Sequence, residues 1–214
     1  QLISSQLDMD RMDYLKRDSF YSGVAEGNVN SERLIQMMNV VDDVLVIEEK
    51  GIYSVEKFLM SRRLMYWQAY LHKTSLVAEL ILTKILKRAK ELTLKGFVLP
   101  CSQPLQFFLE NRITLDIFET EILNLFSQLD DFDIISALKG WQHQDDYILS
   151  SLSKMIINRD LLKIKLTSEK VPLEDLQPLK ERFALENNIS LSETNYFIFK
   201  GKIKNQAYSK EAEP

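Results

Sequence analysis

The sequence is short of the residues that most often announce a function. It holds a single cysteine, Cys101, so no internal disulfide can form and a reducing compartment suits it. Histidine occurs only at His72 and His143, with no His-x-x-x-His and no cysteine pair, which removes the zincin and zinc-finger readings. There is no glycine-rich phosphate loop and no Gly-x-Ser-x-Gly elbow, so P-loop and acyl-enzyme chemistry have no motif behind them. Six glycines and five prolines in 214 residues leave few tight turns and favour long helices. No apolar run approaches the ~20 residues that span a bilayer, and no signal-peptide pattern opens the chain; we expect a cytoplasmic protein with no membrane partner. The net charge of −4 offers no general attraction to nucleic acid, so phosphate chemistry must rest on a local basic cluster.

What is present is an ordinary globular composition, 45% hydrophobic and 27% charged. Its length suits one good core plus a smaller appended lobe. Starting at Gln1 rather than Met, the sequence reads as though cut from something longer. Met9, Met12 and Leu15 recur at helical spacing after Asp8, a suitable N-cap, and predict a helix over 7–19. Asn30 or Ser31 can cap a short helix running through Arg33, Leu34, Met37 and Met38. The β-branched run from Val44 closes on Lys50-Gly51, a strand entering a turn. From Ser54 to Leu92 no glycine or proline interrupts a helical stretch, with one break near Lys73-Thr74-Ser75 where Thr74 or Ser75 can cap a second helix. Further helices are expected at 102–111, 114–127, 131–139 and 144–158.

After Arg159 the character changes. Leu161 to Leu166 alternates like a strand, Pro172 to Asn187 reads as a capped helix, and Tyr196 to Lys200 with Lys202 to Lys204 reads as a hairpin around Gly201. The expected class is therefore mainly α, with a helical body over 1–158, a small α+β lobe over 159–208 and a disordered tail at 209–214.

Two stripes could carry chemistry. Asp10, Tyr14 and Asp18 stand at i, i+4 and i+8, so one helix face presents carboxylate, phenol and carboxylate, with Arg11 and Arg17 beside it. A solvated charged face is the plainer reading of that pattern. Arg62, Tyr66 and Tyr70 share a second face, where a guanidinium beside two phenols suits phosphate oxygens and a sugar or base. An aromatic core stripe with a snorkelling arginine would leave the same pattern. Both histidines fit hydrogen-bonded structural roles, and the polar-aromatic run Trp141 to Tyr147 reads mainly as structure.

These stripes, in this order, resemble the HD-domain phosphohydrolases, with the dNTP triphosphohydrolase-like proteins the nearest subgroup. The matching segments are Leu7 to Asp18 and Arg62 to Lys73, followed by Ile156 to Ile164 as the exit from the helical body. The resemblance covers roughly residues 1–165 and implies an HD-domain-like fold. It implies that Asp10 is the last ligand of a divalent metal (Mn, Mg, Fe or Zn), that Arg11 approaches the phosphates and that Tyr14 and Asp18 meet the sugar. It implies further that Arg62 holds phosphate while Tyr66 and Tyr70 line the sugar and base pocket. The implied chemistry is attack of metal-activated water on phosphorus in a nucleotide or other phosphate ester.

The chain departs from the family in two ways. The family's metal is also held by a histidine and a His-Asp dyad that precede this aspartate; neither histidine here does so, and no His-Asp dipeptide occurs. One carboxylate falls short of the about three protein ligands that a catalytic metal needs, so no catalytic residue is assigned within the chain and it is expected to be inactive alone. The family also has glutamine and histidine where this sequence has Leu71 and Tyr66, which bears on base and sugar recognition. Expected partners are the N-terminal HD half of the same protein and, from the family, further copies of itself. The competing reading is a helical interaction module that kept the scaffold and lost catalysis; it predicts an exposed apolar patch covered by a partner.

Overall fold

The structure, a computed structural model, describes residues 2, 3, 5–114, 120–167, 169, 171, 172 and 174–201. Among them the architecture is mainly α, and the chain divides into two compact units that meet in sequence between Ser75 and Leu76.

In the first unit, α1 (Met9–Ser22) starts where Asp8 accepts the backbone N–H of Arg11 at 2.7 Å. It stops at Gly23, whose φ of +73° is the left-handed geometry a helix C-terminus favours. The helix buries Met12 and Leu15. Asn30 caps α2 (Ser31–Gln36) by accepting from Arg33 N at 3.1 Å. That helix ends short of the expected Met37 and Met38, because Met38 opens β1 (Met38–Val41), which pairs antiparallel with β2 (Val44–Ile47). Asp42 and Asp43 both have positive φ, the two-residue turn that matches strand twist. A 3-10 turn at Glu49–Gly51 leads into α3 (Ile52–Met65).

The helix then widens. Tyr66–Tyr70 forms a π-turn, closed by Leu71 N–H donating to Tyr66 O at 2.8 Å. The core of this unit is Met12, Leu15, Val29, Leu34, Phe58 and Met65. Full burial of a side chain such as Phe58 or Leu15 contributes about 1.5–3 kcal/mol. Gly27 lets the loop after α1 cross Met65, since a Cβ there would lie 2.5 Å from Met65 Sδ.

The second unit takes up α4 (Lys73–Thr93) from Leu76 onward, then α5 (Gln103–Glu110), α6 (Thr120–Phe126), α7 (Asp131–Trp141), α8 (Tyr147–Ile157) and α9 (Gln177–Asn187). One apolar face of α4 buries Val77, Ile81, Ile85, Ala89 and Leu92 against Leu138, Trp141, Leu149 and Leu152. The start of α4 is satisfied by His72, whose Nδ1 accepts from Thr74 N at 3.3 Å, in place of the expected Thr74 or Ser75 cap. Asp130 and Asp133 form a capping box on α7. The helix expected from Gln144 starts at Tyr147, because Asp146 is the residue that caps it, accepting from Leu149 N at 2.8 Å. Residues 115–119 of the helix expected from Thr114 lie outside the described residues.

The strands expected after Arg159 are corrected. Leu161, Leu162 and Ile164 form no strand and pack on the helical core instead. Tyr196 closes a 3-10 turn (Glu193–Tyr196), and Phe197 inserts into the core against Tyr147 and Phe183. Lys202 to Lys204 and the tail at 209–214 lie outside the described residues. Among those described, sheet structure is confined to Met38–Val41 and Val44–Ile47. No described helix is long and apolar enough to cross a membrane.

Candidate functional site

The two sequence stripes meet inside the first unit. Helix α1 supplies Tyr14 and Asp18, the end of α3 supplies Arg62, and the π-turn supplies Tyr66 and Tyr70. Arg62 Nε donates to Tyr14 Oη at 3.3 Å. Tyr70 Oη donates to Asp18 Oδ2 at 2.6 Å, a charge-assisted contact. The Tyr66 and Tyr70 rings meet edge to face, centroids 5.2 Å apart, and Tyr14 approaches Tyr70 at 6.2 Å. The Arg62 guanidinium carbon stands 5.5 Å from the Tyr66 ring centroid. A π-turn carries 4.4 residues per turn in place of 3.6, so over four residues it turns the chain about 70° less than an α-helix does. That shortfall keeps Tyr70 near the face of Arg62, which a regular α-helix would leave by about 80° over those eight residues.

Electrostatics fixes protonation in this cluster. Arg62 is 6% exposed. Burial works against its charge, but the hydrogen bonds and fields of Tyr14 and Tyr66 hold its pKa above the ordinary value. Burial also pushes the Tyr70 phenol well above its usual range, and the bond to Asp18 pushes it in the same direction. Tyr70 is therefore a phenol that keeps its proton and positions it against Asp18, and it cannot serve as a base near neutral pH.

The remaining candidates on α1 lie apart from this contact set. Asp10 is exposed, one turn before Tyr14. Arg11 folds back toward the N-terminal loop, donating to Ser5 O and standing 3.6 Å from Asp8. Among the described residues no group of three or more His, Cys, Asp or Glu side chains could hold a metal ion. A groove of about 520 Å³ in this unit is lined by Asp13, Lys16, Arg17, Phe20, Tyr21 and Asn28, and by none of the candidate site residues. Arg17 is held there by Asp13.

Sequence reasoning missed a polar network in the second unit. Arg88 pairs with Asp146 at 2.6 Å, Glu193 at 3.3 Å and Glu91 at 3.6 Å, while Tyr196 Oη donates to Glu91 at 2.6 Å. Glu91 stands three residues from Arg88, but Asp146 and Glu193 lie 58 and 105 residues further along the chain. Trp141 is fully buried, as the structural reading of its segment requires, and His143 is exposed.

An arginine, three tyrosines and a half-buried carboxylate are thus gathered on one helical scaffold. Residues 29–96 match the family model described as HD associated region. A crystal structure of a phosphohydrolase from Bacteroides thetaiotaomicron VPI-5482 superimposes with a TM-score of 0.88 at 51% identity, over 92% of this chain and 49% of that one. The chain is 38% identical over 198 residues to the uncharacterized protein YwfO of Bacillus subtilis strain 168, which covers 92% of this chain and 43% of that protein. A shorter likeness, 28% identity over 87 residues, is to the deoxynucleoside triphosphate triphosphohydrolase SAMHD1 homolog of Dictyostelium discoideum, over 41% of this chain and 17% of that protein. These likenesses support an HD-like phosphohydrolase family. The chain spans less than half the length of each of these relatives.

Proposed function

We propose that this chain supplies the phosphate- and sugar-binding wall of a metal-dependent HD-family phosphohydrolase acting on nucleotides, deoxynucleoside triphosphates among them. The observation that carries the reading is the convergence of Arg62 on Tyr14 and of Tyr70 on Asp18, residues 48 and 52 positions apart in sequence. Arg62 is a buried, permanently charged planar donor, the group best matched to phosphate oxygens. Tyr66 and Tyr70 present an apolar wall for a sugar or base, and the Asp18 carboxylate can accept a sugar hydroxyl beside the phenol it already binds. Arg11, one residue from Asp10, is turned toward Ser5 O and Asp8 and would have to leave them to reach a phosphate.

The residues present do not make a metal site by themselves, and Asp10 contributes at most one donor where about three protein ligands are needed. On this reading the chain alone is inactive, and dependence on Mn, Mg, Fe or Zn belongs to the longer protein, whose other half and further copies are its partners. The deciding assay is nucleotide hydrolysis by the full-length protein across a panel of nucleotides and divalent metals. Arg62→Lys is expected to lower kcat/KM by roughly 10–100-fold, since the ammonium loses the bidentate fork. Asp10→Ala is expected to abolish metal-dependent turnover. Full activity in both variants would remove this reading.

A further inference from the structure

In the second unit, α4, α9 and the turn Glu193–Tyr196 meet around one residue, Asn195. Lys84 Nζ donates to the Asn195 backbone oxygen at 2.7 Å, and Lys180 Nζ donates to Asn195 Oδ1 at 2.6 Å. Lys87 stands one helical turn after Lys84 on α4. Lys84 is half-buried, with its ammonium 4.2 Å from the Phe199 ring centroid and 5.7 Å from that of Tyr196.

The neighbouring charge is handled differently. Arg88, one position after Lys87, is met by the carboxylates of Asp146, Glu193 and Glu91. Among the described residues, Lys84, Lys87 and Lys180 pair with no carboxylate. Burial, and then the fields of Lys87 and Lys180, lower the Lys84 pKa, so the grouping costs electrostatic energy in the isolated protein. Each ammonium carries three donors, and one each of Lys84 and Lys180 is engaged by Asn195. Cations spaced along one helix and onto a second suit a ligand with several linked negative groups better than a single small anion.

We propose that Lys84, Lys87 and Lys180 form a polyphosphate-binding site, taking the linear phosphate chain of an inorganic polyphosphate or of a nucleotide. It shares no residue with the Arg62 cluster and does not depend on the function proposed above. The test is calorimetric titration of inorganic tripolyphosphate into the 214-residue chain at low ionic strength. The double variant Lys84→Gln/Lys180→Gln is expected to weaken one binding event at least ~10-fold, and Lys87→Gln, altering an exposed side chain, about 3-fold. Lys57→Gln, at an exposed lysine of α3, is expected to leave that event within about twofold of its original affinity. If the double variant fails to fold by circular dichroism, Lys87→Gln decides alone. Absence of tripolyphosphate binding, wild-type affinity in the folded Lys84/Lys180 and Lys87 variants, or equal loss in Lys57→Gln would overturn the proposal. A nucleoside triphosphate titrated in parallel separates the sources: shared loss in the lysine variants makes the site a nucleotide-phosphate site, and loss confined to tripolyphosphate makes it an inorganic one.

Discussion

Tyr70 shows how much of a side chain's chemistry its neighbours decide. Its phenol is locked to Asp18 at 2.6 Å and held protonated, so it acts by position and shape. Tyr70→Phe keeps the ring contacts and removes one charge-assisted bond, leaving Asp18 without that donor. The expected cost is about 1–3 kcal/mol, read as a lower urea midpoint with an unchanged slope. An unchanged midpoint would mean that water replaces the phenol at no cost. Helical spacing alone had placed Tyr14 and Asp18 on one face, and Arg62, Tyr66 and Tyr70 on another. That the faces meet was not legible in spacing; the family resemblance supplied it, because pairing across some fifty residues leaves no local trace.

Helix starts were the most readable elements, since a capping side chain acts within three residues of itself. Asp8 is the clearest case: its carboxylate accepts from Arg11 N at 2.7 Å and Ser5 N at 3.1 Å. Asp8→Ala should cost about 1–2 kcal/mol, seen as a lower melting temperature. At α8, burial alone would raise the Asp146 carboxyl, but hydrogen bonds from Arg88 and from the Leu149 and Ile148 backbone hold it below the usual carboxylate value. Because the folded pKa is depressed, this contribution is fully present above the unfolded value of about 4 and is lost as pH falls through the lower, folded value. Asp146→Asn should therefore destabilise the protein at pH 7 and flatten its acid-side loss of stability; denaturant titrations between pH 7 and 3 measure both. Strands were read less well. Leu161 to Leu166 has the alternation of a strand, but alternation only selects which side chains face inward, and an irregular segment packed on helices can satisfy it without a strand partner.

Across the whole molecule, each unit owns a separate apolar core and one tryptophan. Trp67, in the π-turn of the first unit, is 61% exposed, whereas Trp141 in the second is 0% exposed. Acrylamide should quench the two very differently. Trp67→Phe is expected to leave a blue-shifted, weakly quenched emission, with the readily quenched component gone; retained strong quenching would contradict the burial of Trp141.

The π-turn around Trp67 also has a consequence for which length changes the chain can absorb. A single π-turn holds one residue more than the α-helix it interrupts, so it works as an insertion stored within a helix. Excising one residue there would let the turn close as an ordinary α-helical turn, with the residues on either side kept on their faces. Tyr70 would stay on the side that meets Asp18, with Arg62 still beside Tyr14. A one-residue deletion at the exposed Trp67 is thus expected to keep the cluster together, whereas a one-residue insertion there, with no further turn to absorb it, would carry Tyr70 off Asp18.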